Sequence, residues 1–310
     1  LFAELPAEDR EHLAQLMRPF HAGAGSVLFR EGDTGDRMYV VESGELRVTR
    51  PALHEPDVEL GLLGPGMVFG EMSLLGSGVR TATVTAVAAT NGWVLDRPIF
   101  DALSASQRPA SFLLVRRLGQ LALERLNERY AAIAQSLGPA GGASAASDTR
   151  IEEVAPEPEE LRYLRGLLFF ARMSDEAIAS VTADLRRVYA HRGTLLLGAG
   201  DVPPVLHIVL RGAVETTARG TGRAQRLRLA GPGRAVAHFV ALGAEPSVVE
   251  CRTREHSVLL EMPADRVRVL LASMDRAAAG FAVAFSADVV RALDHAERPM
   301  ARMIAATHVA

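Results

Sequence analysis

The chain carries its landmarks twice. Gly25, Gly32-Asp33 and Gly44 recur as Gly193, Gly200-Asp201 and Gly212, each 168 positions on (193 − 25). Phe2-Ala3 and Phe170-Ala171 keep that spacing. Gly64-Pro65-Gly66 recurs as Gly231-Pro232-Gly233, and Leu75-Gly76 as Leu242-Gly243, both 167 on (231 − 64). Colinear glycines through a whole domain mean two copies of one fold, because glycine holds turns that other residues adopt only at a cost. The 310 residues therefore divide into a domain at 1–137, a linker at 138–160 and a second domain at 161–310.

The local pattern within the first copy sets the fold class. Residues 1–20 read as a helical lead-in, with Leu13, Leu16 and Met17 at helical spacing. Short apolar runs follow: Met38 to Val41, Val58 to Leu63, Thr81 to Ala86 and Gly92 to Leu95. Glycine turns punctuate them. Strands this short and evenly spaced predict a mostly β fold with flanking helices, two antiparallel barrels or jelly rolls in tandem. After Arg97-Pro98 the period turns helical. Phe112, Val115, Gly119, Ala122, Leu126 and Ile133 form a near-heptad seam, widened by Leu118, Leu121 and Tyr130. This helix, about 111–137, either meets a partner helix or packs on its own barrel. Residues 138–149 read as a flexible linker, Glu152 to Glu160 as a solvated acidic approach, and 275–310 as an alanine-rich helical tail.

The densest chemistry lies between Phe69 and Val84, where Phe-Gly-Glu-Met-Ser-Leu-Leu is followed, after Gly76 to Val79, by Arg-Thr-Ala-Thr-Val. Gly70 lets the backbone approach a ligand, and the turn from Glu71 to Leu75 presents free N–H groups to an anion. Arg80 adds a forked, permanent cation suited to phosphate oxygens. Glu71 cannot favour a phosphate, so its natural partner is a hydroxyl donor such as a ribose 2′-OH. A phosphate and a ribose hydroxyl in one loop describe a nucleotide held without a metal. An ordinary turn with a surface Glu71–Arg80 ion pair is the plain alternative.

These residues resemble the phosphate-binding cassette of the cyclic nucleotide-binding domain, the family of the catabolite activator protein and the regulatory subunits of cyclic-AMP-dependent protein kinase. Val79 departs from the proline often found before the arginine. The resemblance implies ligand contacts from Phe69, Gly70, Glu71, Met72, Ser73, Arg80, Thr81 and Ala82. Arg80 would take the cyclic phosphate and Glu71 the 2′-OH. Thr81 and Ala82 would line the wall near phosphate and base. It implies cyclic AMP, or else cyclic GMP, as ligand, and a helix at 111–137 that caps the site or forms a homodimer or larger assembly. In the second copy Gly70 becomes Ala237, Glu71 becomes His238, Arg80 becomes Ser247 and Thr81 becomes Val248. That copy is expected to be a structural or partner-binding module, although His238 with Arg234 or Arg252 could hold another anion.

Composition excludes several other classes. The chain has no lysine, so all 34 basic residues are arginine, which removes a Walker A loop, a Schiff-base lysine and a kinase-type lysine. Such a bias suggests a bacterial source with a GC-rich genome. One cysteine, Cys251, fits a reducing, cytoplasmic compartment, and no metal-ligand spacing is present. A net charge of −3 gives no general pull toward nucleic acid or membrane, and the arginines from Arg219 to Arg234 read as a solvated hairpin face. No apolar run reaches membrane-spanning length. The first residue is Leu1, so the chain is expected to be a fragment. The sequence thus predicts a non-catalytic sensor with ligand in its first domain. A ligand-free scaffold, or a regulatory segment of an enzyme, channel or larger assembly, are the alternatives.

Overall fold

A computed structural model describes residues 7–52, 55–76, 78–105, 109–138, 151–155, 160–221, 223–243 and 245–308. Phe2-Ala3 and residues 139–150 and 156–159 of the linker lie outside them. The chain forms two compact units, one from residues 1–120 with 297–310, the other from 121–296.

The first unit opens with helix α1 (Ala7–Leu16), then strands β1 (Arg18–Ala22), β2 (Val27–Phe29), β3 (Arg37–Ser43), β4 (Leu46–Ala52), β5 (Glu55–Leu63) and β6 (Val68–Phe69). A one-and-a-half-turn helix α2 (Glu71–Leu75) precedes β7 (Thr83–Ala86), β8 (Thr90–Asp96) and α3 (Arg97–Ala105). Two four-stranded antiparallel sheets result, in the orders β1-β8-β3-β6 and β2-β7-β4-β5, so neighbours in space are rarely neighbours in sequence. Their inner faces meet on Ala22, Tyr39, Val41, Leu46, Leu63, Phe69, Val84, Ala86 and Val94. Tyr39 stacks on Phe69 at 4.8 Å between ring centroids, with Phe20 edge-on and Phe29 tilted against Tyr39. Each such pair contributes about 0.5–1.5 kcal/mol beyond simple burial.

Helix α4 (Pro109–Ser136) begins in the first unit and continues into the second. Its seam residues Val115, Leu118, Ala122, Leu126, Tyr130 and Ile133 are all buried within the chain. Phe112 and Leu121 are only half-buried.

The second unit adds β9 (Ile151–Glu153), α5 (Glu160–Gly166), α6 (Asp175–Thr182), β10 (Arg186–Ala190), β11 (Leu195–Leu197), β12 (Val205–Arg211), β13 (Val214–Gly220), β14 (Arg223–Ala230) and β15 (Ala235–Val236). A 3-10 turn (His238–Leu242), β16 (Glu250–Thr253), β17 (Ser257–Pro263), α7 (Ala264–Ala272) and α8 (Arg276–His308) complete it, α8 running on into the first unit. Its sheets are β15-β12-β17-β10-β9 and β11-β16-β13-β14. The acidic approach keeps Glu152 and Glu153 exposed but is extended rather than irregular where it begins. Ile151 to Glu153 pair antiparallel with β10 on its open edge, and Glu153 meets Arg186 at 3.2 Å.

The duplication seen in the glycines is a duplication of backbone angles. Gly25, Gly32, Gly44 and Gly66 have φ of 81°, 87°, 95° and 82°, and their counterparts Gly193, Gly200, Gly212 and Gly233 have 88°, 91°, 83° and 74°. Gly70 at 75° corresponds to Ala237 at 63°. Ala237 thus keeps a left-handed turn without glycine, which costs roughly 1–2 kcal/mol. Glycine would remove that strain and return about 0.4–1 kcal/mol to the entropy of the unfolded chain. Ala237→Gly should therefore stabilise the second unit by up to about 1 kcal/mol, read as a higher urea midpoint.

Candidate functional site

The first unit's cassette is set by one strand and one turn. Arg80 is bonded through its own backbone to the loop before β3: its N–H donates to Asp33 O at 2.9 Å and its carbonyl accepts from Gly32 N at 2.9 Å. That fixes the guanidinium under α2. Nη1 donates to Arg37 O at 2.8 Å, Gly70 O at 3.0 Å and Ser73 Oγ at 3.0 Å, and Ser73 Oγ in turn donates to Gly70 O at 2.8 Å. The guanidinium carbon lies 4.1 Å from the Phe29 ring centroid. Such a desolvated cation–π contact is worth up to about 2 kcal/mol.

Arg80 is 4% exposed, and burial lowers its pKa from the ordinary guanidinium value. Its Nε is buried without a hydrogen-bond partner. A buried, charged donor facing no acceptor is costly, and an anion at that position would remove the cost.

The other residues expected at the site fall around this arginine. Glu71 is buried at 1% exposure at the head of α2, and Ser73 is buried beside it. Thr81 donates its hydroxyl toward Met72 Sδ at 3.5 Å. Ala82 packs with Val58, Leu60 and Ala301. Phe69 is different: its ring is part of the aromatic core, which leaves only its backbone near the turn. Arg97, at the start of α3, closes the far end of α2 by donating to Ser73 O at 2.5 Å and Leu74 O at 3.4 Å.

Gly70 is needed twice over. Its φ is left-handed, and a Cβ there would stand 2.6 Å from Arg80 Nη1. Gly70→Ala should therefore displace the guanidinium and weaken any ligand held by it at least tenfold, measured by titration calorimetry.

Several residues at the rim gave no sequence signal. Arg50 of β4 is 3% exposed and pairs with Glu31 at 3.1 Å and with Glu297, in the last part of α8, at 3.3 Å. Glu31 N donates to Thr83 Oγ1 at 3.1 Å, which ties this cluster to the strand that follows Arg80. Ala301, one turn beyond Glu297, covers Ala82.

The second copy keeps the frame and changes the chemistry. Ser247 N donates to Asp201 O at 2.8 Å and Gly200 N to Ser247 O at 2.7 Å, the same pair of bonds that Arg80 makes. The Ser247 hydroxyl is spent locally on Val249 O. His238, in Glu71's place, is buried against Asp288 of α8 at 2.9 Å. Tyr130 of α4 lies edge-on to Phe239 at 5.6 Å, so it packs in the second unit. Cys251 is buried with its thiol pushed up to about 11 by burial, as a core residue would be. The basic hairpin is solvated at Arg219, Arg223 and Arg226. Arg219 pairs with Glu250 at 2.6 Å, and Arg228 is buried on Asp288. Among the described residues no cluster of His, Cys, Asp and Glu could hold a metal, and no single helix is long and apolar enough to cross a membrane.

Two jelly-roll barrels, each with a turn on a left-handed residue between β6 or β15 and the next strand, define a tandem pair of β domains of one fold. The profile described as "Cyclic nucleotide-binding domain" matches residues 19–107 and 187–274, and the chain belongs to that family. It is 25% identical over 244 residues to a cGMP-dependent protein kinase of Caenorhabditis briggsae, covering 78% of this chain and 26% of that one. It is 40% identical over 104 residues to the cyclic AMP receptor protein of Thermus thermophilus, covering 32% and 48%. The solved regulatory domain of Toxoplasma gondii PKA with cAMP aligns over 88% of both chains at 21% identity, with a TM-score of 0.33. The chain thus spans between a quarter and a half of these curated relatives' lengths.

Proposed function

We propose that the chain is a regulatory sensor that binds one cyclic nucleotide, in its first unit, and carries out no catalysis itself. The observation that carries this reading is the buried Arg80, held by three acceptors through one nitrogen and left with Nε unpaired, next to buried Glu71. Arg80 takes the cyclic phosphate and Glu71 the ribose 2′-OH. The backbones of Gly70, Met72 and Ser73 approach the sugar phosphate, and Thr81 and Ala82 line the wall. The second unit, with His238 and Ser247 at these positions, binds no nucleotide. Cyclic AMP is the preferred ligand. Titration calorimetry with cyclic AMP, cyclic GMP and 5′-AMP tests this: one site per chain is expected, cyclic AMP at least as tight as cyclic GMP, and 5′-AMP much weaker. Two equivalent sites, or a cyclic GMP preference that Thr81→Ala abolishes, would overturn it.

The match to only a quarter of a kinase supports a second reading, in which these two units are the regulatory segment of a larger enzyme or assembly; it makes the same ligand prediction. A homodimer through residues 111–137 would have to use the half-buried flank at Phe112 and Leu121, because the seam itself is already covered. A cytoplasmic location in a bacterium is supported by the single buried, unbridged Cys251 and the arginine-only basic set.

A further inference from the structure

The second unit holds a donor-rich cradle that nothing above uses. Asp288 lies midway along α8, 1% exposed, in a stretch otherwise built of apolar residues such as Ala287, Val289 and Val290. Four groups from the barrel converge on its carboxylate. Arg228 Nη2 donates to both oxygens, at 3.1 and 3.0 Å, while its Nη1 donates to Ala235 O at 3.0 Å. Ala235 N donates to Oδ2 at 3.0 Å, and His238 Nε2 lies 2.9 Å from the same oxygen. Arg234 Nη1 stands 3.6 Å from Oδ1, buried and without a hydrogen-bond partner.

The charges here do not balance within the cluster. One carboxylate faces two guanidiniums and a histidine, and Arg291, one turn along α8, adds a third guanidinium close enough to Arg234 and Arg228 for its own pKa to fall, burial being the main cause. A backbone N–H, a forked arginine and an imidazole aimed at one point make a site for a carboxylate or phosphate oxygen. The donors sit on β14, on β15 and at the first residue of the turn that replaces α2. The anion is supplied by the chain.

We propose that the second barrel has kept an anion site of its own and that Asp288 is the tethered carboxylate that fills it, holding this copy closed without nucleotide. In the first unit a free ligand would join the cassette turn to the elements around it. In the second, Asp288 joins β14, β15 and the turn at His238 to α8 by covalent attachment, so no concentration change can empty the site. The strained left-handed Ala237 fits this reading, since a turn held shut permanently does not need glycine to open and close. The inference does not depend on what Arg80 binds: loss of nucleotide binding to the first unit would leave it intact.

The test uses the full chain and two variants, with hydrogen exchange as readout. In Asp288→Ala, amides of 235–242 and of α8 from 276 to 296 should exchange at least tenfold faster, while β12 and β17 stay protected. Sodium acetate or formate should restore protection saturably, and sodium chloride at equal ionic strength should not. Asp288→Asn keeps the volume but not the charge; it should loosen the same segments and resist rescue, because no space is free for acetate. Unchanged exchange in Asp288→Ala would overturn the proposal. So would loosening that neither carboxylate reverses. Loss of protection throughout β12 and β17 in both variants would also overturn it, making Asp288 a folding requirement of the whole barrel.

Discussion

Arg80→Ala should weaken cyclic nucleotide binding by ten- to a hundredfold or more, since it removes the proposed charge-assisted bonds to the phosphate, worth about 1.5–3 kcal/mol. The substitution has a second effect that must be separated from the first. Arg80 Nη1 satisfies Arg37 O, Gly70 O and Ser73 Oγ, and its guanidinium covers the Phe29 ring. Removing it leaves buried acceptors bare and loosens α2 even without ligand. Arg80→Lys divides the two contributions. A lysine keeps a positive charge near Gly70 O but offers no fork and nothing in place of Nε. Affinity should therefore fall in Arg80→Lys too, while exchange protection of 70–75 in the free protein stays closer to the parent than in Arg80→Ala. Trp93, the chain's single tryptophan, lies in β8 of this unit and reports whether the barrel remains folded. Affinity unchanged in Arg80→Ala, with Trp93 fluorescence unaltered, would remove Arg80 from the binding site.

What the sequence made legible follows from how local each feature is. The duplication was readable because left-handed turns depend on single residues, and glycine marks them wherever it stands. The cassette was readable because Gly70, Glu71 and Arg80 lie within eleven positions and each brings its own chemistry. The role of Phe69 was less clear, because a phenylalanine beside a binding turn reads the same whether its ring meets ligand or core; only the stack on Tyr39 decides it. The longer-range features were not legible. Arg228 and Asp288 are 60 positions apart, and Arg50 and Glu297 are 247 apart, with no motif joining either pair. The basic hairpin shows the consequence: five arginines looked equally solvated, yet the fold buries Arg228 because α8 brings an acid to it. A signal was present in the lone Asp288 among buried alanines and valines, where an acid without a partner would be untenable. The seam of α4 likewise showed that the helix had to be covered, but not by what.

Arg228→Met should destabilise the second unit by about 3–5 kcal/mol near neutral pH, the cost of leaving one member of a buried ion pair without the other. The variant should lose less of its stability than the parent as pH falls. In the parent, burial alone would raise the Asp288 carboxyl, but Arg228 together with the bonds from His238 and Ala235 outweighs it and leaves Asp288 below the usual carboxylate range. Burial pushes His238 down, against the pull of Asp288. Both groups then bind fewer protons folded than unfolded. Their contribution is full above the unfolded histidine value of about 6.5 and declines as pH falls below it, first through His238 and later through Asp288. Without Arg228, burial weighs more heavily on Asp288, against Arg234 at 3.6 Å, His238 at 2.9 Å and the nearby Arg291. Its folded pKa therefore rises from the parent's value, and His238 holds a proton more readily. The variant then binds more protons when folded than the folded parent does, so its stability falls less steeply as pH falls. The stability gap between parent and variant should therefore be widest at pH 7–8 and narrow steadily toward pH 5. Urea unfolding at pH 8, 7, 6 and 5, followed by exchange in β12 and β17, measures it. A gap that stays constant across that range would mean that Arg228 contributes through its packing and its bond to Ala235 O, rather than through its charge on Asp288.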